Sequence, residues 1–341
     1  MRYIKTRPEE AEKVRRHIRK TGLAAKGHKV LKKGGFLYFP IIGGDSRVGD
    51  IVVRNYSEGT TGDMRDAVRE FKEKHKSSSK SIELLGNIAV IETSERIAGK
   101  LAAAVMEENK GVSTVVMKSS AVKGRYRTRK YRHIAGKRTY VARYRENGCT
   151  FVFNLRKSFF SSRLAFERKR VADLSKNGER VVVMFAGVGP FAVEIAKGRP
   201  KSKIVAIELN DSAYKYMLEN ININHVDNIV PVCGDVAEKS KDYIGFADRI
   251  VMPLPKGAQD FIGYAISMAK RKCIFHYYAF AEGDDPFSQQ MPYLKEEAAK
   301  RNMRFKLLFK RIVRTYSASV VEIALDFELS LGKGKKLSRV Q

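Results

Sequence analysis

Short apolar runs alternate with amphipathic stretches over the C-terminal part of the chain. The apolar runs are RVVVMF, KIVAIEL, NIVPVCGD, DRIVMPLP and CIFHYYAF. Between them lie stretches with helical spacing, one starting at Phe191 and others covering 211–222 and 257–270. Because strands that alternate with helices build a mostly parallel, doubly wound sheet, we predict an α/β domain over residues 148–341.

A small α+β unit is predicted before this domain, over residues 1–56. The segment 8–20, PEEAEKVRRHIRK, opens with proline, carries acids first and bases last, and is typical of a helix that complements its own dipole. The runs KVL and FLYFPI flank Gly34 and Gly35 and predict two strands around a turn. Residues 57–81 are polar and rich in serine and lysine, which indicates a linker.

A second small α+β unit is predicted over residues 82–147. LLGNIAVIE, at residues 84–92, predicts one buried strand, SERIAGKLAAAVMEE has helical spacing, and VSTVVMK predicts another strand. Basic strands complete this unit.

The charge of the chain points to a polyanionic partner. Lysine and arginine number 66 against 37 aspartate and glutamate, a formal net charge of +29, and 43% of the residues are hydrophobic. This content suffices for a sizeable core, and the charge favours nucleic acid as the partner. Charge alone leaves two other classes open, a basic ribosome- or chromatin-associated protein and a membrane-surface protein.

The compartment is predicted from what the sequence lacks. Cys149, Cys233 and Cys273 are far apart, which indicates neither a disulfide framework nor a zinc site. The N-terminal residues are charged where a secretion signal needs an apolar run, and no apolar stretch approaches membrane-spanning length. We expect a cytoplasmic protein without a membrane partner.

A cofactor site is predicted at successive strand ends. Gly187 and Gly189 in VVVMFAGVGPF follow an apolar strand and precede a helix, where glycine lets a ligand approach the backbone. Glu208 ends the next strand and would accept hydrogen bonds from ribose hydroxyls. These features also fit a nicotinamide cofactor, because the glycine motif matches G-x-G-x-x-A through Ala192.

Two later strand ends favour S-adenosylmethionine over a nicotinamide. Asp235 closes the third strand, where a carboxylate can accept from an adenine amino group. The fourth strand ends in a rigid turn bracketed by Pro253 and Pro255, at the edge where open α/β sheets bind ligands. Leu209 and Val236, which follow the two acids, complete this part of the candidate cofactor site.

The basic segment 121–145 is a candidate RNA-binding surface. It contains ten lysines and arginines, four tyrosines and no acid. Because side chains alternate along a strand, we expect Arg125, Arg127 and Arg129 on one face and Tyr126 on the other. Interleaved arginine and tyrosine offer phosphate contacts and stacking surfaces, as single-stranded or looped RNA requires.

Glu167 is a candidate general base because it lies in a basic stretch just before the strand and glycine motif of the cofactor site. Guanine N1 becomes nucleophilic only as its proton leaves, and Glu167 could take that proton. Negative charge then builds on O6, where the guanidinium of Arg127 would stabilise the transition state. The base must leave its stack to enter such a pocket.

Six ordered motifs, over roughly residues 84–280, resemble the archaeal and eukaryotic tRNA (guanine-37-N1)-methyltransferase family. They are GRYRTRKYRHIAG, FFSSRLAFERKRVA, VVVMFAGVGPF, AIELN, ADRIVMPLPKGA and FHYYAF. The resemblance implies a class I (Rossmann-like) methyltransferase domain with two small N-terminal α+β domains. It also implies a tRNA partner held at the anticodon loop and the outer corner, and we expect a monomer.

The resemblance also implies roles for individual residues. Glu167 matches the family's general base and Arg127 its O6-stabilising arginine, while Glu208 and Asp235 match the ribose and adenine contacts. The positions that match the methyl-donor lining are Phe159, Arg163, Phe185 and Val188.

Two positions depart from the common family pattern. Many members have aspartate at Val183 and Asn-Leu-Pro at the position of Pro253, so a side-chain amide near the target base is absent. Both changes resemble an archaeal subgroup of the wyosine pathway, some of whose members also methylate C7 of 4-demethylwyosine. We therefore expect that this second activity is open to the chain.

Three alternatives remain open from the sequence. An aminocarboxypropyl transferase of the same pathway uses the same donor, but Glu167 has no obvious place in its reaction. A non-catalytic RNA-binding protein could keep a vestigial pocket. A nicotinamide-dependent oxidoreductase has the least support. His276 lies in the HYY triplet, which we interpret as core packing.

Overall fold

The structure, a computed structural model, describes residues 2–6, 11–20, 30–33, 36–41, 81–122, 124–283, 285–317 and 319–332. Its contacts divide the chain into two compact units, Met1–Lys76 and Ser77–Gln341. The predicted linker 57–81 lies outside the described residues except for Ser81. None of the described helices combines the length and apolar character that crossing a bilayer requires.

The first unit is a three-stranded sheet with one helix. Its elements are β1 (Arg2–Thr6), α1 (Ala11–Lys20), β2 (Leu31–Lys33) and β3 (Phe36–Ile41). Both β1 and β2 pair antiparallel with β3. Val14 and Ile18, one turn apart on α1, pack on Phe39. The predicted helix and strands are confirmed here, whereas residues 7–10 and the glycine turn lie outside the described residues.

The second unit begins with a four-stranded sheet. Its elements are β4 (Ser81–Leu85), β5 (Ile88–Glu92), α2 (Glu95–Glu108), β6 (Thr114–Lys118) and β7 (Tyr131–Gly136). The prediction of a single strand over 84–92 is wrong, because the chain turns at Gly86 and forms the β4–β5 hairpin. Gly86 has a φ of +60°, and a Cβ there would lie 1.8 Å from the Arg143 carbonyl oxygen. Only glycine meets both demands.

The rest of the unit contains the large sheet and its helices. The first elements are β8 (Val141–Glu146), β9 (Cys149–Asn154), α3 (Ala165–Leu174), β10 (Arg180–Val183), α4 (Pro190–Gly198), β11 (Lys203–Glu208) and α5 (Asp211–Ile223). The later ones are β12 (Ile229–Cys233), α6 (Val236–Lys239), β13 (Ala247–Met252), α7 (Ile262–Met268), β14 (Ala269–Glu282), α8 (Met291–Lys300), β15 (Met303–Thr315) and β16 (Val320–Leu331).

The sheet has seven strands in the order β12-β11-β10-β13-β14-β16-β15. The neighbours from β12 to β14 pair in parallel, and β16 runs antiparallel to both β14 and β15. This confirms the predicted mostly parallel, doubly wound sheet. The helix predicted over 257–270 is shorter than expected: it ends at Met268, because Ala269 is already the first residue of β14.

The β8–β9 hairpin is attached to the large sheet through two asparagines of the α5 region. The Asn220 side chain accepts from the Val152 N–H at 2.7 Å and donates to the Val152 carbonyl at 3.1 Å. Asn224 makes the same pair of bonds with Thr150, at 2.8 and 2.7 Å. The predicted boundary between residues 147 and 148 falls in the turn of this hairpin.

A buried group of two acids and one arginine joins the hairpin to α3 and α4, because Glu146 belongs to β8, Arg168 to α3 and Glu194 to α4. The Arg168 guanidinium binds both oxygens of Glu146, at 2.5 and 2.7 Å, and lies 3.6 Å from Glu194. One arginine cannot neutralise two carboxylates, so one acid keeps a proton. Burial and the neighbouring Glu146 raise the pKa of Glu194 to about 9.

Glu194→Gln should flatten the pH dependence of stability. The pKa of Glu194 is raised above its unfolded value, so its contribution to stability is complete below about pH 4.5 and is lost as the pH rises towards 9. The loss is up to about 1.4 kcal/mol per pH unit. Urea unfolding at pH 5 and pH 8 measures it, with exposed Glu219→Gln as the control. An unchanged slope in Glu194→Gln would contradict the protonated assignment.

Candidate functional site

A cavity of about 670 Å³ opens where the parallel strands β10 to β13 end. Open α/β sheets bind ligands at this edge, and the volume suits a small organic molecule. The predicted site residues that line it are Arg125, Tyr126, Arg127, Phe159, Phe185, Gly187, Glu208, Leu209, Asp235, Val236 and Pro253.

The loop after β10 is held in left-handed conformations. Phe185, Gly187 and Gly189 have φ values of 53°, 59° and 85°. A Cβ on Gly189 would lie 2.9 Å from Cγ of Met217, so glycine allows α4 to start close to α5. Val188 and Gly189 are buried behind the loop and do not line the cavity.

Glu208 presents a carboxylate at the end of β11. Its oxygens accept from the backbone N–H groups of Gly187 and Asn210, each at 2.7 Å. Burial raises the pKa of Glu208, while these N–H groups oppose the increase. A fixed acceptor in a cavity wall is suited to a ligand hydroxyl group.

Asp235 caps the short helix α6 and faces the basic segment. One oxygen accepts from the Ala237 N–H at 2.9 Å, and the other binds the Arg125 guanidinium. The Asp235 side chain is 23% exposed and that of Arg125 65% exposed. Asp235, an acceptor in the cavity wall, therefore contacts the basic segment directly.

The basic segment forms a turn at residues 124–127, so the predicted alternation of Arg125, Arg127 and Arg129 along a strand is wrong. Gly124 and Arg127 have φ values of 71° and 52°, and the Arg127 N–H donates to the Gly124 carbonyl at 3.1 Å. Arg125, Tyr126 and Arg127 all line the cavity, whereas Arg129 does not. Arginine and tyrosine therefore share one surface instead of two faces.

Arg127 lies over an aromatic wall of the cavity. Its guanidinium carbon is 4.9 Å from the ring centre of Phe159. Burial lowers the pKa of Arg127, and the charge of Glu322 opposes that shift. Glu322 is fully buried, with Oε2 bound by Arg314 at 2.5 Å and Oε1 without a hydrogen-bond partner among the described residues.

Glu167 is buried and does not line the cavity. Its Oε2 accepts from Arg170 at 2.9 and 3.0 Å and from the Tyr278 hydroxyl at 2.9 Å. Its Oε1 has no hydrogen-bond partner among the described residues, although Nη1 of Arg311 lies 3.2 Å away. Phe280, two residues after Tyr278 on β14, does line the cavity. Two strand residues correspond to about 7 Å, which separates Tyr278 from the cavity along the strand.

A chain of buried ionic contacts continues from Glu167 through Arg170. Arg170 also binds Asp326, which binds Nδ1 of His276 at 2.8 Å. Nε2 of His276 lies 2.7 Å from Arg249, which binds both oxygens of Glu179 at 2.8 and 3.0 Å. Arg249 can only donate, so His276 is neutral with its proton on Nδ1. Burial lowers the pKa of His276, which agrees with a neutral ring. We call this chain, with Glu167 and Tyr278, the ionic layer.

Other predicted residues lie outside the cavity, and some lining residues were not predicted. Arg163 is exposed, Arg129 is half-buried, and the buried Pro255 accepts the Phe280 N–H at 2.9 Å through its carbonyl. The cavity also contains Val122, Gly124, Asn210, Ala213, Leu254, Lys256, Gly257, Asp260, Phe261, Phe280 and Tyr316. Several of these directly follow predicted motifs, but Tyr316 had no signal in the sequence.

Three family descriptions match successive parts of the chain. "TRM5/TYW2 methyltransferase domain" matches residues 142–307, "TYW2 N-terminal domain" matches 64–139, and "tRNA methyltransferase 5 N-terminal domain" matches 4–47. Together these matches extend over most of the sequence.

Individual relatives match over most of their length. The chain is 36% identical over 335 residues to tRNA (guanine(37)-N(1))-methyltransferase Trm5b of Pyrococcus abyssi, covering 96% of this chain and 98% of that protein. It is 29% identical over 252 residues to tRNA (guanine(37)-N(1))/4-demethylwyosine(37)-methyltransferase Taw22 of Nanoarchaeum equitans, covering 59% and 84%. A solved complex of aTrm5 with tRNALeu matches at 26% identity and a TM-score of 0.66, covering 96% and 99%.

Gly189→Ala should destabilise the fold, because alanine at a φ of +85° is strained and its Cβ would collide with Met217. We expect a loss of about 1–3 kcal/mol in the free energy of unfolding. Gly198→Ala, at the end of the same helix, has open space and should stabilise by up to about 1 kcal/mol. Thermal unfolding compares the two variants, and equal effects of the same sign would contradict this account of the loop.

Proposed function

The chain belongs to the TRM5/TYW2 methyltransferase family, and we propose that it transfers a methyl group from S-adenosylmethionine to N1 of guanosine 37 in tRNA. The observation that carries this function is the cavity, in which Glu208 and Asp235 lie together with the basic turn 124–127. The candidate site for the methyl donor and the candidate RNA-binding segment thus line the same cavity.

The residues of the cavity fit S-adenosylmethionine. Glu208 and Asp235 are acceptors for the ribose hydroxyls and the adenine amino group, and Phe159, Phe185 and Phe261 give the wall its apolar surface. Gly187 has no side chain to fill the space before Glu208. When bound, the donor supplies an electrophilic methyl group on its sulfonium.

Glu167 is proposed to accept the N1 proton. Oε2 is fixed by Arg170 and Tyr278, while Oε1 is a buried acceptor without a hydrogen bond, which suits a donor that arrives with the substrate. Glu167 reaches N1 only if the base inserts beyond Phe280 towards Tyr278. Because the base must leave its stack to do so, an extruded guanine is part of this mechanism.

Arg127 is proposed to stabilise the charge that forms on O6. It lines the cavity, and its guanidinium is held against Phe159 and near the buried charge of Glu322. A pre-positioned cation costs no reorganisation as the N1 proton leaves. Arg125 and Tyr126, on the same turn, are proposed to contact the flanking RNA, with Arg129 adding positive charge.

The partner is tRNA, bound at the anticodon loop by the second unit and at the outer corner by the first, and the protein acts as a monomer. The relative solved with tRNALeu supports a tRNA partner. The predicted small domains at residues 1–56 and 82–147, the second of which belongs to one compact unit with the predicted catalytic domain at 148–341, suit two contacts on one RNA.

The test is the reaction of the pure protein with S-adenosylmethionine and a tRNA transcript carrying G37, followed by nucleoside mass spectrometry. We expect one N1-methylguanosine per tRNA and none with a transcript carrying A37. Donor labelled separately in its methyl and carboxyl groups distinguishes the alternative, aminocarboxypropyl transfer, which would leave the carboxyl label in RNA. Binding of tRNA without donor binding or product would instead indicate a non-catalytic RNA-binding protein.

Glu167→Gln should abolish turnover while leaving donor binding intact. Glutamine keeps an acceptor for Arg170 and Tyr278 but cannot take up a proton, so we expect kcat to fall about 100- to 10,000-fold. Asp173→Asn, an exposed acid on the same helix, is the control and should keep the wild-type rate. Single-turnover kinetics with calorimetry of donor binding separates the effects, and a wild-type rate in Glu167→Gln would exclude it as the base.

A second substrate, tRNA carrying 4-demethylwyosine, is favoured by Pro253. Pro253 lines the cavity where many family members have asparagine, so the space beside the target base lacks a side-chain amide. The Nanoarchaeum equitans relative is named for both substrates. We propose that the chain also methylates C7 of the tricyclic base.

Pro253→Asn should discriminate against the tricyclic base. The added amide occupies space beside the target, so kcat/KM for 4-demethylwyosine tRNA should fall at least about tenfold relative to G37 tRNA. The G37 reaction of the same variant is the internal control. No methyl transfer from wild type to the tricyclic base would exclude the second activity.

A further inference from the structure

The outermost strand of the large sheet, β15, is unusually basic. Its sequence, MRFKLLFKRIVRT, has five lysines and arginines and no acid. Arg311 and Arg314 pair with Glu167 and Glu322, whereas Arg304 and Lys306 have no carboxylate partner among the described residues. The strand therefore carries positive charge that the rest of the fold does not neutralise.

The register places four of the five basic residues and the aromatic Phe309 on a single face, while Lys310 lies on the other. Arg304, Lys306, Phe309 and Arg311 pair with Ser330, Glu328, Asp326 and Ala324, which are alternate residues of β16. Side chains at alternate positions lie on the same side of a sheet. Since Asp326 binds Arg170 of α3, this is the side covered by α3.

Phe166 of α3 completes this face at the sheet edge. Phe166 and Phe309 are 40% and 41% exposed. The Arg311 guanidinium lies 4.6 Å from the Phe166 ring centre, and that of Arg170 lies 4.8 Å from Phe309. The exposed rings offer stacking surfaces, and Arg304 and Lys306, further along the same face and without a carboxylate partner among the described residues, offer phosphate contacts. We call Phe166, Arg304, Lys306, Phe309 and Arg311 the edge surface.

A second protein strand is a poor occupant for this edge. The register of β15 shifts between Leu307 and Phe309 and again between Ile312 and Arg314. Bulges and basic side chains are the devices by which edge strands avoid pairing with other chains. The exposed rings therefore need a partner that does not extend the sheet.

The strand leads directly to the cavity. Tyr316 follows β15, lines the cavity and lies 4.5 Å from the ring of Phe280. Phe166 is the neighbour of Glu167, whose Oε1 lies 3.2 Å from Arg311. The register puts Arg311 level with Tyr278 and Arg304 level with Lys272. An RNA strand with one base in the cavity would therefore reach Arg311 first and Arg304 only after about 27 Å, several nucleotides further along.

We propose that the edge surface binds the single-stranded RNA that flanks the target nucleotide, with Arg304, Lys306 and Arg311 on phosphates and Phe309 and Phe166 stacking on bases. This rests on the proposed function and adds a second contact to that of the turn 124–127. In the sequence, the turn 124–127 comes before the predicted catalytic domain, whereas β15 lies near its end.

The charge test is Arg304→Glu with Lys306→Glu, compared with Lys201→Glu and Lys203→Glu. The control pair has the same charge change on exposed residues at the start of β11, which is separated from β15 by four strands of the sheet. We expect tRNA affinity to fall at least about tenfold, and the slope of log affinity against log salt to decrease by about two, one per lost phosphate contact. The control should show neither change beyond a uniform charge effect.

The stacking test is Phe309→Leu against Phe309→Tyr. Leucine keeps the apolar contact with Arg170 but cannot stack, so tRNA affinity should fall about tenfold with an unchanged salt slope. Tyrosine keeps a ring and should restore affinity. Donor affinity, measured by calorimetry, should be unchanged in all variants and shows that each is folded.

Wild-type tRNA affinity in the charge and leucine variants would overturn the proposal. Dimerisation of the wild type that the charge variants disrupt, seen by light scattering, would assign the surface to a second copy and overturn it as well. These outcomes are independent of the reaction product: a wild type that binds tRNA through this surface but forms no N1-methylguanosine would refute the proposed function alone.

Discussion

Charge can be buried in a protein only where each charged group is paired. This constraint shapes the part of the sheet against which α3, the helix of Glu167, packs. Helix α3 packs on β14 and β16 through the ionic layer, in which Arg170 lies between two carboxylates and His276 between an acceptor and a donor. Burial raises the pKa of Asp326, but the hydrogen bonds from His276 and Arg170 and the charge of Arg170 outweigh it and lower the pKa. The ionic layer thus fixes the orientation of the Glu167 carboxylate through its Oε2 atom.

Two carboxylates in this region are paired with arginines, yet one oxygen of each accepts no hydrogen bond among the described residues. These oxygens are Oε1 of Glu167, 3.2 Å from Arg311, and Oε1 of Glu322, whose other oxygen binds Arg314. Glu322 pairs in register with the cavity-lining Phe280, and Glu167 binds Tyr278 two residues deeper. Guanine has a donor at N1, so under the proposed function the substrate brings the missing hydrogen bond of Glu167.

Sequence reasoning succeeded where one local pattern decides the structure. Gly187 and Glu208 were assigned because a glycine turn and an acid at parallel strand ends must meet at one edge of the sheet, and they hydrogen-bond there. It failed where tertiary structure decides. Nothing local shows that Arg127 adopts a φ of 52°, which converts a predicted strand into a turn. Tyr316 reaches the cavity only because β15 and β16, which were not predicted, bring the chain back to it.

The asparagine contacts of the hairpin determine how the protein can be divided for study. β8 pairs with one edge of β9. Along the other edge, the side chains of Asn220 and Asn224 hydrogen-bond to the backbone of Val152 and Thr150, as a neighbouring strand would. A fragment that starts at residue 148 would keep β9, lose β8, and expose an unpaired strand edge prone to aggregation. Recombinant pieces intended to report on the catalytic domain therefore need to begin before Val141.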